Sequence, residues 1–288
     1  MMKPMQLTQD EVRTRAVGLP SFPLIVSEIL ASLDDPDANL NVLTDFIGRD
    51  PVIAARVLSF ANRAAGRTRS NASIADIYTA TSLIGMSQVR EIALISSLGN
   101  FINANLSGGM PTSYWEHSVA VGVCAQELAQ HVTAPVSSDT ALIAGLLHDI
   151  GQLWLYRFQA DHFSVARKQA LACAVNIASA EREQFGVGHP QIGAWLAEHW
   201  VLPPAIGAAI LHHHKPDGLL SELLVPVVSL AEVLSNALDL TGRVENRVTH
   251  LSSSACITLG LVFDDSIQPL LGRIEARSRY ANAMFATH

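Results

Sequence analysis

The chain has 288 residues, of which 49% are hydrophobic and 16% charged, so it is long enough for two ordinary domains or one large one. The net charge is −7 and no Lys/Arg cluster is present, which argues against a surface built to bind nucleic acid. Apolar runs are short and interrupted, so neither a membrane span nor a membrane partner is expected. With no secretory signal and three scattered cysteines, which we expect to be buried, the sequence predicts a cytoplasmic protein.

Signals for helix starts recur along the whole chain. Asp50 and Pro51 form an N-cap followed by Pro at the first helical position. Ser113 and Glu116 fit a capping box, and Ser138 or Asp139 can cap the helix that follows. Proline marks three further starts, at His189-Pro190, Leu202-Pro203-Pro204 and Val225-Pro226. Because strand signals are nearly absent, we predict an all-α fold.

Two loops predict how the chain is divided. Residues 105–111 are rich in Gly and Pro and cannot continue a helix. They separate an N-terminal helical half, residues 1–107, from a second half, residues 112–240, that carries every candidate ligand. A loop at residues 240–246 precedes a C-terminal helical tail, residues 247–288.

The pair His148 and Asp149 is the strongest sign of chemistry. It follows the apolar run at residues 141–147, and burying these two side chains together costs several kcal/mol unless both find partners. A divalent cation is one partner that suits both. Further candidate ligands are the histidines His117, His189, His212, His213 and His214.

Each histidine taken alone also has a structural interpretation. His117 shares an apolar helical face with Val121, Cys124 and Leu128, and a lone core histidine usually donates to a backbone carbonyl. His189 precedes a proline and suits an N-cap.

The run of three histidines ends a helix, where cations are favoured, and His212 is the weakest candidate ligand of the three. Taken together, these histidines and Asp149 are hard to satisfy by hydrogen bonds alone. Nitrogen ligands mixed with carboxylate suit Fe, Mn or Zn, so we expect one of these divalent metals as cofactor.

At these residues the sequence resembles the HD metal-dependent phosphohydrolase superfamily. His117 followed by His148-Asp149-Ile150-Gly151 carries the general likeness, and the later segments are similar to its HD-GYP and HDOD branches. The segments of the second half that carry this likeness are His189-Pro190-Gln191-Ile192-Gly193, Trp200-Val201-Leu202-Pro203 and His213-His214. Those of the first half, which resemble HDOD domains (HD-related output domains), are Leu19-Pro20-Ser21-Phe22-Pro23, Ile47-Gly48-Arg49-Asp50-Pro51, Leu58-Ser59-Phe60-Ala61-Asn62 and Leu83-Ile84-Gly85. The resemblance covers about residues 18–240.

The resemblance implies an N-terminal helical bundle packed on an HD-like helical domain. The metal ligands that it implies are His117, His148, Asp149, His189, His213 and His214, with Glu232 in the place of the distal acid. Three functions follow as expectations. One is a signal-transduction protein with a signalling protein partner, and the second is an active phosphohydrolase on a nucleotide or cyclic nucleotide, in which Asp149 is the catalytic residue. The third is a nucleotide-sensing module that binds its ligand without cleaving it.

Three positions depart from the pattern of the resembled enzymes. Glu232 stands where the superfamily usually has Asp, and it either ligates or faces solvent. Gln152 stands where HD-GYP enzymes commonly carry Lys, so it brings no positive charge to a phosphate. Lys215 follows the histidine run where the Gly-Tyr-Pro segment is absent, and it either takes the phosphate role or is a solvated lysine. The ion-holding residues therefore look intact, whereas the substrate-holding residues look altered.

Overall fold

The computed structural model describes residues 3–19, 22–33, 40–66, 74–105, 112–132, 136–241 and 251–285. Within these ranges every regular element is helical and no strand occurs, which confirms the all-α expectation. Among the described helices, none combines the length and the apolar character that a membrane span requires.

The described α-helices, numbered in chain order, begin with α1 (Gln9–Ala16), α2 (Leu24–Leu33), α3 (Leu40–Gly48), α4 (Pro51–Gly66), α5 (Ile77–Ile84), α6 (Met86–Asn105), α7 (Thr112–His131) and α8 (Ser138–Leu147). They continue with α9 (Ile150–Phe158), α10 (Ala160–Cys173), α11 (Ile177–Phe185), α12 (His189–His199), α13 (Pro204–His212), α14 (Leu224–Ala237), α15 (Ser253–Leu259) and α16 (Gln268–Phe285). Short 3-10 turns lie at Pro216–Gly218 and Asp265–Ile267.

The chain forms two compact units. The smaller is Ser21–Phe101, and the larger combines Met1–Pro20 with Ile102–His288. The division predicted from the sequence, at 1–107, 112–240 and 247–288, stays a prediction, and these units distribute the chain differently at its start. In the larger unit α1 packs on α12, and the backbone N–H groups of Met5 and Leu7 donate to the carbonyls of Gln184 and Phe185 at 2.8 and 2.9 Å.

The smaller unit is organised around α4. The Oδ1 atom of Asp50 accepts hydrogen bonds from the backbone N–H groups of Val52 and Ile53, which confirms the predicted N-cap. Asn62 then ties α4 to the segment before α5, because its side chain donates to the Ile74 carbonyl and accepts from the Ile74 N–H, each at 2.8 Å.

The larger unit is built around α7, which contacts α8, α14 and α16. The crossing of α7 and α8 depends on two glycines, because a Cβ added to Gly145 would lie 2.7 Å from the Cα of Gly122. This close approach brings the end of α8 against the face of α7 that carries His117. That face is buried as predicted, with Val121, Cys124 and Leu128 all fully inaccessible.

A second close approach joins the starts of α9 and α12. A Cβ on Gly151 would lie 2.0 Å from the carbonyl oxygen of His189, so only glycine fits there. The first turn of α9 therefore lies against the first turn of α12, which places the residues just before α9 beside His189.

The C-terminal helix α16 is fastened to α7 by an ion-pair cluster. The buried Glu127 accepts from Arg277 Nη1 at 2.5 Å and from Arg273 Nε at 3.0 Å. Arg277 Nη2 also donates to Gln126 Oε1 at 2.6 Å. A helix far along the chain thereby holds the central helix of the larger unit.

Several predicted helix boundaries differ from the structure by one or two residues. Ser113 is the second residue of α7 and not its N-cap, whereas Ser137, and neither Ser138 nor Asp139, caps α8 by accepting from the Thr140 N–H. Gly188 is the N-cap of α12, so His189 is wrong as the cap and is the first helical residue. The exact first and last residues of a helix are established by its capping contacts and not by sequence signals alone.

Two predicted loops fall mostly on residues that the structure does not describe. These are the linker at 105–111 and the loop at 240–246, although α6 ends at Asn105 and α7 begins at Thr112, on either side of the linker.

Of the three cysteines, Cys124 and Cys256 are buried as expected, but Cys173 is exposed at the end of α10. The expectation for Cys173 is wrong because its position falls on the solvent side of that helix.

Candidate metal centre

The seven predicted ligand residues come together inside the larger unit. His117 is on α7, His148 is the C-cap of α8, and Asp149 directly precedes α9. The remaining four lie on or beside the last three helices of the site, as His189 at the start of α12, His213 and His214 after α13, and Glu232 in α14. Residues from five separate parts of the chain therefore meet at one place.

Asp149 lies in the middle of this cluster, and its two carboxylate oxygens face different histidines. Its Oδ1 atom is 3.1 Å from His189 Nε2 and 3.8 Å from His213 Nε2. Its Oδ2 atom is 3.5 Å from His148 Nε2 and 4.0 Å from His117 Nε2. One carboxylate thus separates two groups of imidazole nitrogens.

On the first side, three imidazole rings pack against one another. His189 Nε2 lies 3.4 Å from His213 Nε2 and 3.2 Å from His214 Nε2. The rings of His213 and His214 have centroids 4.0 Å apart. One nitrogen of each ring lies within 4.8 Å of one nitrogen of each of the others, close enough to share one ion.

The second side is completed by Glu232. Ligand atoms of His117, His148 and Glu232 lie within 4.8 Å of one another. Glu232 Oε2 is also 3.3 Å from His214 Nδ1 and 4.0 Å from His213 Nε2, so it reaches both sides of the cluster. Of the two interpretations of Glu232, the solvent-facing one is wrong, because its side chain is 15% exposed and points at the histidines.

The outer nitrogens of three rings are fixed by hydrogen bonds. His148 Nδ1 lies 2.7 Å from the Gly145 carbonyl, and His213 Nδ1 lies 2.7 Å from the Ile210 carbonyl. Because a carbonyl only accepts, each Nδ1 carries the proton and each Nε2 presents a lone pair to the cluster. This is the tautomer that a metal ligand needs, and the outer hydrogen bond is the usual way in which proteins set it.

Glu181 performs the same task for His189 and is a residue that the sequence analysis missed. Its Oε2 atom accepts from His189 Nδ1 at 2.7 Å and from the His189 backbone N–H at 2.6 Å. Glu181 is fully inaccessible. A signal was present in the sequence, since a glutamate falls on the apolar face of α11 between the buried Ala178 and Phe185.

Tyr114 is a second missed residue, and it acts on the backbone of the dyad. It lies three residues before His117 on α7, and its hydroxyl donates to the carbonyl oxygen of Asp149 at 2.9 Å. The hydrogen bond fixes the turn between α8 and α9 from which the Asp149 side chain projects. Nothing in the sequence around Tyr114 distinguishes it from an ordinary core tyrosine.

The electrostatics of the cluster favour positive charge at its centre. Burial raises the pKa of the Asp149 carboxyl, but attraction to the imidazoles, His148 and His189 first, outweighs it and holds that pKa well below its ordinary value. Burial lowers the pKa of His189, but the carboxylates of Glu181 and Asp149 outweigh it and raise that pKa to about 10. The field that favours a proton on His189 favours a metal cation in the same place.

The opposite shift occurs at His213. Burial, and then repulsion from His214, hold the pKa of His213 well below its ordinary value, so it is a neutral imidazole. Burial raises the pKa of Glu232, but attraction to His214 and then His213 outweighs it and holds that pKa below its ordinary value. Glu232 is therefore ionised. Neutral imidazole and ionised carboxylate are the forms that bind metals.

The residues fit a divalent cation. His148 Nε2 is buried and has no hydrogen-bond partner within the described part of the chain, although its lone pair faces the Asp149 carboxylate. With metal–nitrogen bonds of about 2.0–2.1 Å, neighbouring ligand atoms stand roughly 3.0–3.4 Å apart. The separations from His189 Nε2 to Asp149, His214 and His213 are 3.1, 3.2 and 3.4 Å.

The cluster reaches solvent at the edge formed by His214 and Glu232. The side chains of His148, His189 and His213 are 0% exposed, whereas those of His214 and Glu232 are 18% and 15% exposed. An ion or small molecule that enters at this edge therefore meets His214 and Glu232 first. His212 does not belong to the cluster, and it lies in the wall of a cavity beside His214.

Comparison with known proteins identifies the family and the fold. The family model of the HDOD domain matches residues 19–216. A curated relative from Treponema pallidum (strain Nichols), which bears no functional name, is 26% identical over 220 residues, or 71% of this chain. The chain spans only 39% of the length of that relative.

Solved structures share the fold. An HDOD domain protein of unknown function from Geobacter sulfurreducens is 24% identical with a TM-score of 0.75, and the match covers 95% of this chain and 97% of that one. A protein from Shewanella amazonensis SB2B, provisionally named a phosphohydrolase, is 22% identical with a TM-score of 0.66 and 95% coverage of both chains. A protein from Marinobacter aquaeolei VT8, provisionally named a signal transduction protein, is 23% identical with a TM-score of 0.75, covering 99% of this chain and 63% of that one.

Proposed function

Because this chain belongs to the HDOD family, we propose that it is a regulatory protein of signal transduction that holds divalent cations in its histidine–aspartate centre. The observation that supports metal binding is the fixed orientation of the His148, His189 and His213 rings, each of which has a protonated Nδ1 atom. Their Nδ1 atoms carry protons and point outward to acceptors, and the Nε2 atoms of all three rings converge on one carboxylate. A cation bound there takes the lone pairs of His148 and His213 and replaces the proton that Glu181 and Asp149 favour on His189.

The arrangement of Asp149 supports two ions that share this carboxylate. His117 and His148 face its Oδ2 atom, whereas His189 and His213 face its Oδ1 atom. Glu232 adds a second negative charge that reaches both groups. Five imidazoles with two carboxylates suit Fe, Mn or Zn better than Mg or Ca, which prefer oxygen ligands.

The regulatory part of the proposal is supported by the family and by the smaller unit. The likeness to a protein provisionally named for signal transduction points the same way. Large apolar side chains of α5 are exposed, with Tyr78 at 56% and Leu83 at 48%, and such residues suit contact with a signalling protein. The proposed place of action is the cytoplasm, where thiols such as the exposed Cys173 stay reduced.

Metal analysis of protein purified without chelator tests the centre. We expect close to stoichiometric Fe, Mn or Zn in the wild type, and strongly reduced content in His148→Ala and Asp149→Ala. The matched control is His199→Ala, which removes a histidine from the end of α12, outside the cluster. Wild-type protein without metal after reconstitution with each of the three ions would overturn the proposal.

A second candidate function is metal-dependent phosphohydrolysis on a nucleotide or cyclic nucleotide. The observation in its favour is that all the ligand positions are present and that the cluster opens to solvent at His214 and Glu232. A bound cation would polarise a phosphoryl oxygen and activate a water. Asp149 would orient the reacting groups at the centre of the cluster, between the two sets of imidazole nitrogens. The buried Gln152, in contrast, brings no positive charge to a phosphate.

Hydrolysis assays separate the two functions. Metal-loaded protein is offered bis(p-nitrophenyl) phosphate, nucleoside monophosphates and cyclic nucleotides, with Asp149→Asn as the inactive variant. Turnover by the wild type that Asp149→Asn loses establishes the enzyme. Metal-loaded wild type that is as inert as Asp149→Asn, while an Asp149→Asn allele still complements a deletion of the gene, establishes a regulatory role without turnover.

A further inference from the structure

A cavity of about 400 Å³ opens beside His214, on the side where the metal centre reaches solvent. The residues that matter in its wall are Asn176, Ser179 and Arg182 of the α11 region, and His212, His214 and Lys215 after α13. This "His214 cavity" lies wholly within the larger unit. Its volume is at the small end of the range for ligand pockets, about 300–1,000 Å³.

The charge of the His214 cavity is opposite to that of the whole protein. The chain has a net charge of −7, yet the described residues that line the cavity include Arg182 and Lys215 and no carboxylate. Arg182 Nη2 donates to the Ser179 hydroxyl at 3.0 Å, which holds the guanidinium in the wall. Its remaining N–H groups stay available for the planar contacts that guanidinium makes with phosphate.

Two helices begin at the same cavity. The N-caps of α11 and α12, Asn176 and Gly188, both line it. The N-terminal end of a helix carries partial positive charge. The two helix starts, the two cationic side chains and His214 of the metal centre therefore line one concave space.

We propose that the His214 cavity binds the phosphate of a small phosphomonoester, with Arg182 and Lys215 on one side and the metal centre on the other. The inference rests on the proposed metal centre for the second of these contacts. Among the described lining residues no aromatic ring other than histidine occurs, so the cavity offers no platform for stacking a base. A compact phosphorylated molecule suits its volume better than a dinucleotide does. In this site Lys215 binds the phosphate and is not merely a solvated surface lysine.

Calorimetric titration with inorganic phosphate and with glycerol 2-phosphate tests the inference. The variants are Arg182→Gln and Lys215→Gln, both at exposed positions, so that folding is unaffected. The control is Lys168→Gln, an exposed lysine of α10 that does not line the His214 cavity. Each titration is made on metal-loaded and on chelator-stripped protein, and metal content is measured in every sample.

We expect Arg182→Gln and Lys215→Gln each to weaken binding of both probes roughly five- to tenfold, with unchanged metal content, while Lys168→Gln binds as the wild type does. Metal-loaded protein should bind both probes more tightly than stripped protein. Unchanged phosphate affinity in both variants overturns the cavity inference and leaves the metal centre standing. If the wild type holds no metal, the proposed centre fails, and the same variants still test the cavity on stripped protein. Binding of phosphate without glycerol 2-phosphate overturns the phosphomonoester assignment.

Discussion

Replacing Glu181 by glutamine removes a buried charge that positions a proposed metal ligand. In the wild type one oxygen of Glu181 accepts from both the ring Nδ1 and the backbone N–H of His189, at 2.7 and 2.6 Å. Glutamine keeps the shape and one acceptor oxygen, but it lacks the negative charge that makes His189 a stronger ligand.

The expected magnitude follows from those two contacts. A hydrogen bond to a charged group contributes about 1.5–3 kcal/mol, and the amide retains part of it, so we expect Glu181→Gln to lose about 2 kcal/mol of stability. Outer partners of metal-bound histidines typically change metal affinity by about 10–100-fold. The expected result is therefore a loss of metal affinity of that size, with the fold retained.

Competition with a fluorescent chelator measures metal affinity, and urea unfolding of the stripped protein measures stability. The matched control is Glu183→Gln, which neutralises an exposed glutamate two residues further along α11. If Glu181→Gln and Glu183→Gln bind metal within twofold of each other, Glu181 does not position His189 for a metal, and the reasoning fails.

Three further predictions test other parts of the structure, and the first has Gly272→Ala as its control. A Cβ on Gly151 would meet the backbone of α12 at 2.0 Å, so Gly151→Ala should cost about 1–3 kcal/mol by overpacking and release bound metal. Gly272→Ala, with nothing within 4 Å, should be neutral or slightly stabilising in thermal unfolding. Burial raises the pKa of Glu127, but Arg277 and then Arg273 lower it below the ordinary 4.5, so its stabilisation is complete above that value and is lost as pH falls through the lower folded value. Glu127→Gln should thus lower the unfolding midpoint at pH 7 and matter progressively less as the pH falls below the ordinary 4.5, whereas a pH-independent loss would contradict the ion pair. Chelation should lower the melting temperature of the wild type and leave that of His148→Ala unchanged. An equal drop in both proteins would mean that the chelated metal binds at another site.

Part of the candidate cluster could be predicted because some of its members break a sequence rule, whereas the full set came from the resemblance to HD proteins. His148 and Asp149 are polar residues directly after a buried apolar run, and His117 interrupts an apolar helical face. The role of Glu232 was left open, because a shift of one position along a helix turns a side chain from the cluster toward solvent. Only the packing of α14 against α7 shows which way it faces.

The supporting residues were harder to predict because their partners are distant in the sequence or lie on the backbone. Glu181 bonds to a residue on the next helix, and Tyr114 bonds to a carbonyl 35 positions away. Cap positions were missed by one residue for a related reason, since Ser137, Ser138 and Asp139 are all good caps and sequence alone does not choose among them. The place of Met5 and Leu7 against the end of α11 depends on backbone hydrogen bonds, for which side-chain patterns give no signal.

The most direct test of the metal centre is anomalous diffraction from crystals of the protein loaded with Mn or Zn. The account predicts an anomalous peak beside the Asp149 carboxylate, at about 2.0–2.3 Å from the Nε2 atoms of His189 and His213, with room for a second peak toward His117 and His148. Loaded crystals in which those Nε2 atoms are hydrogen-bonded to ordered water or to one another, without any anomalous peak, would contradict it.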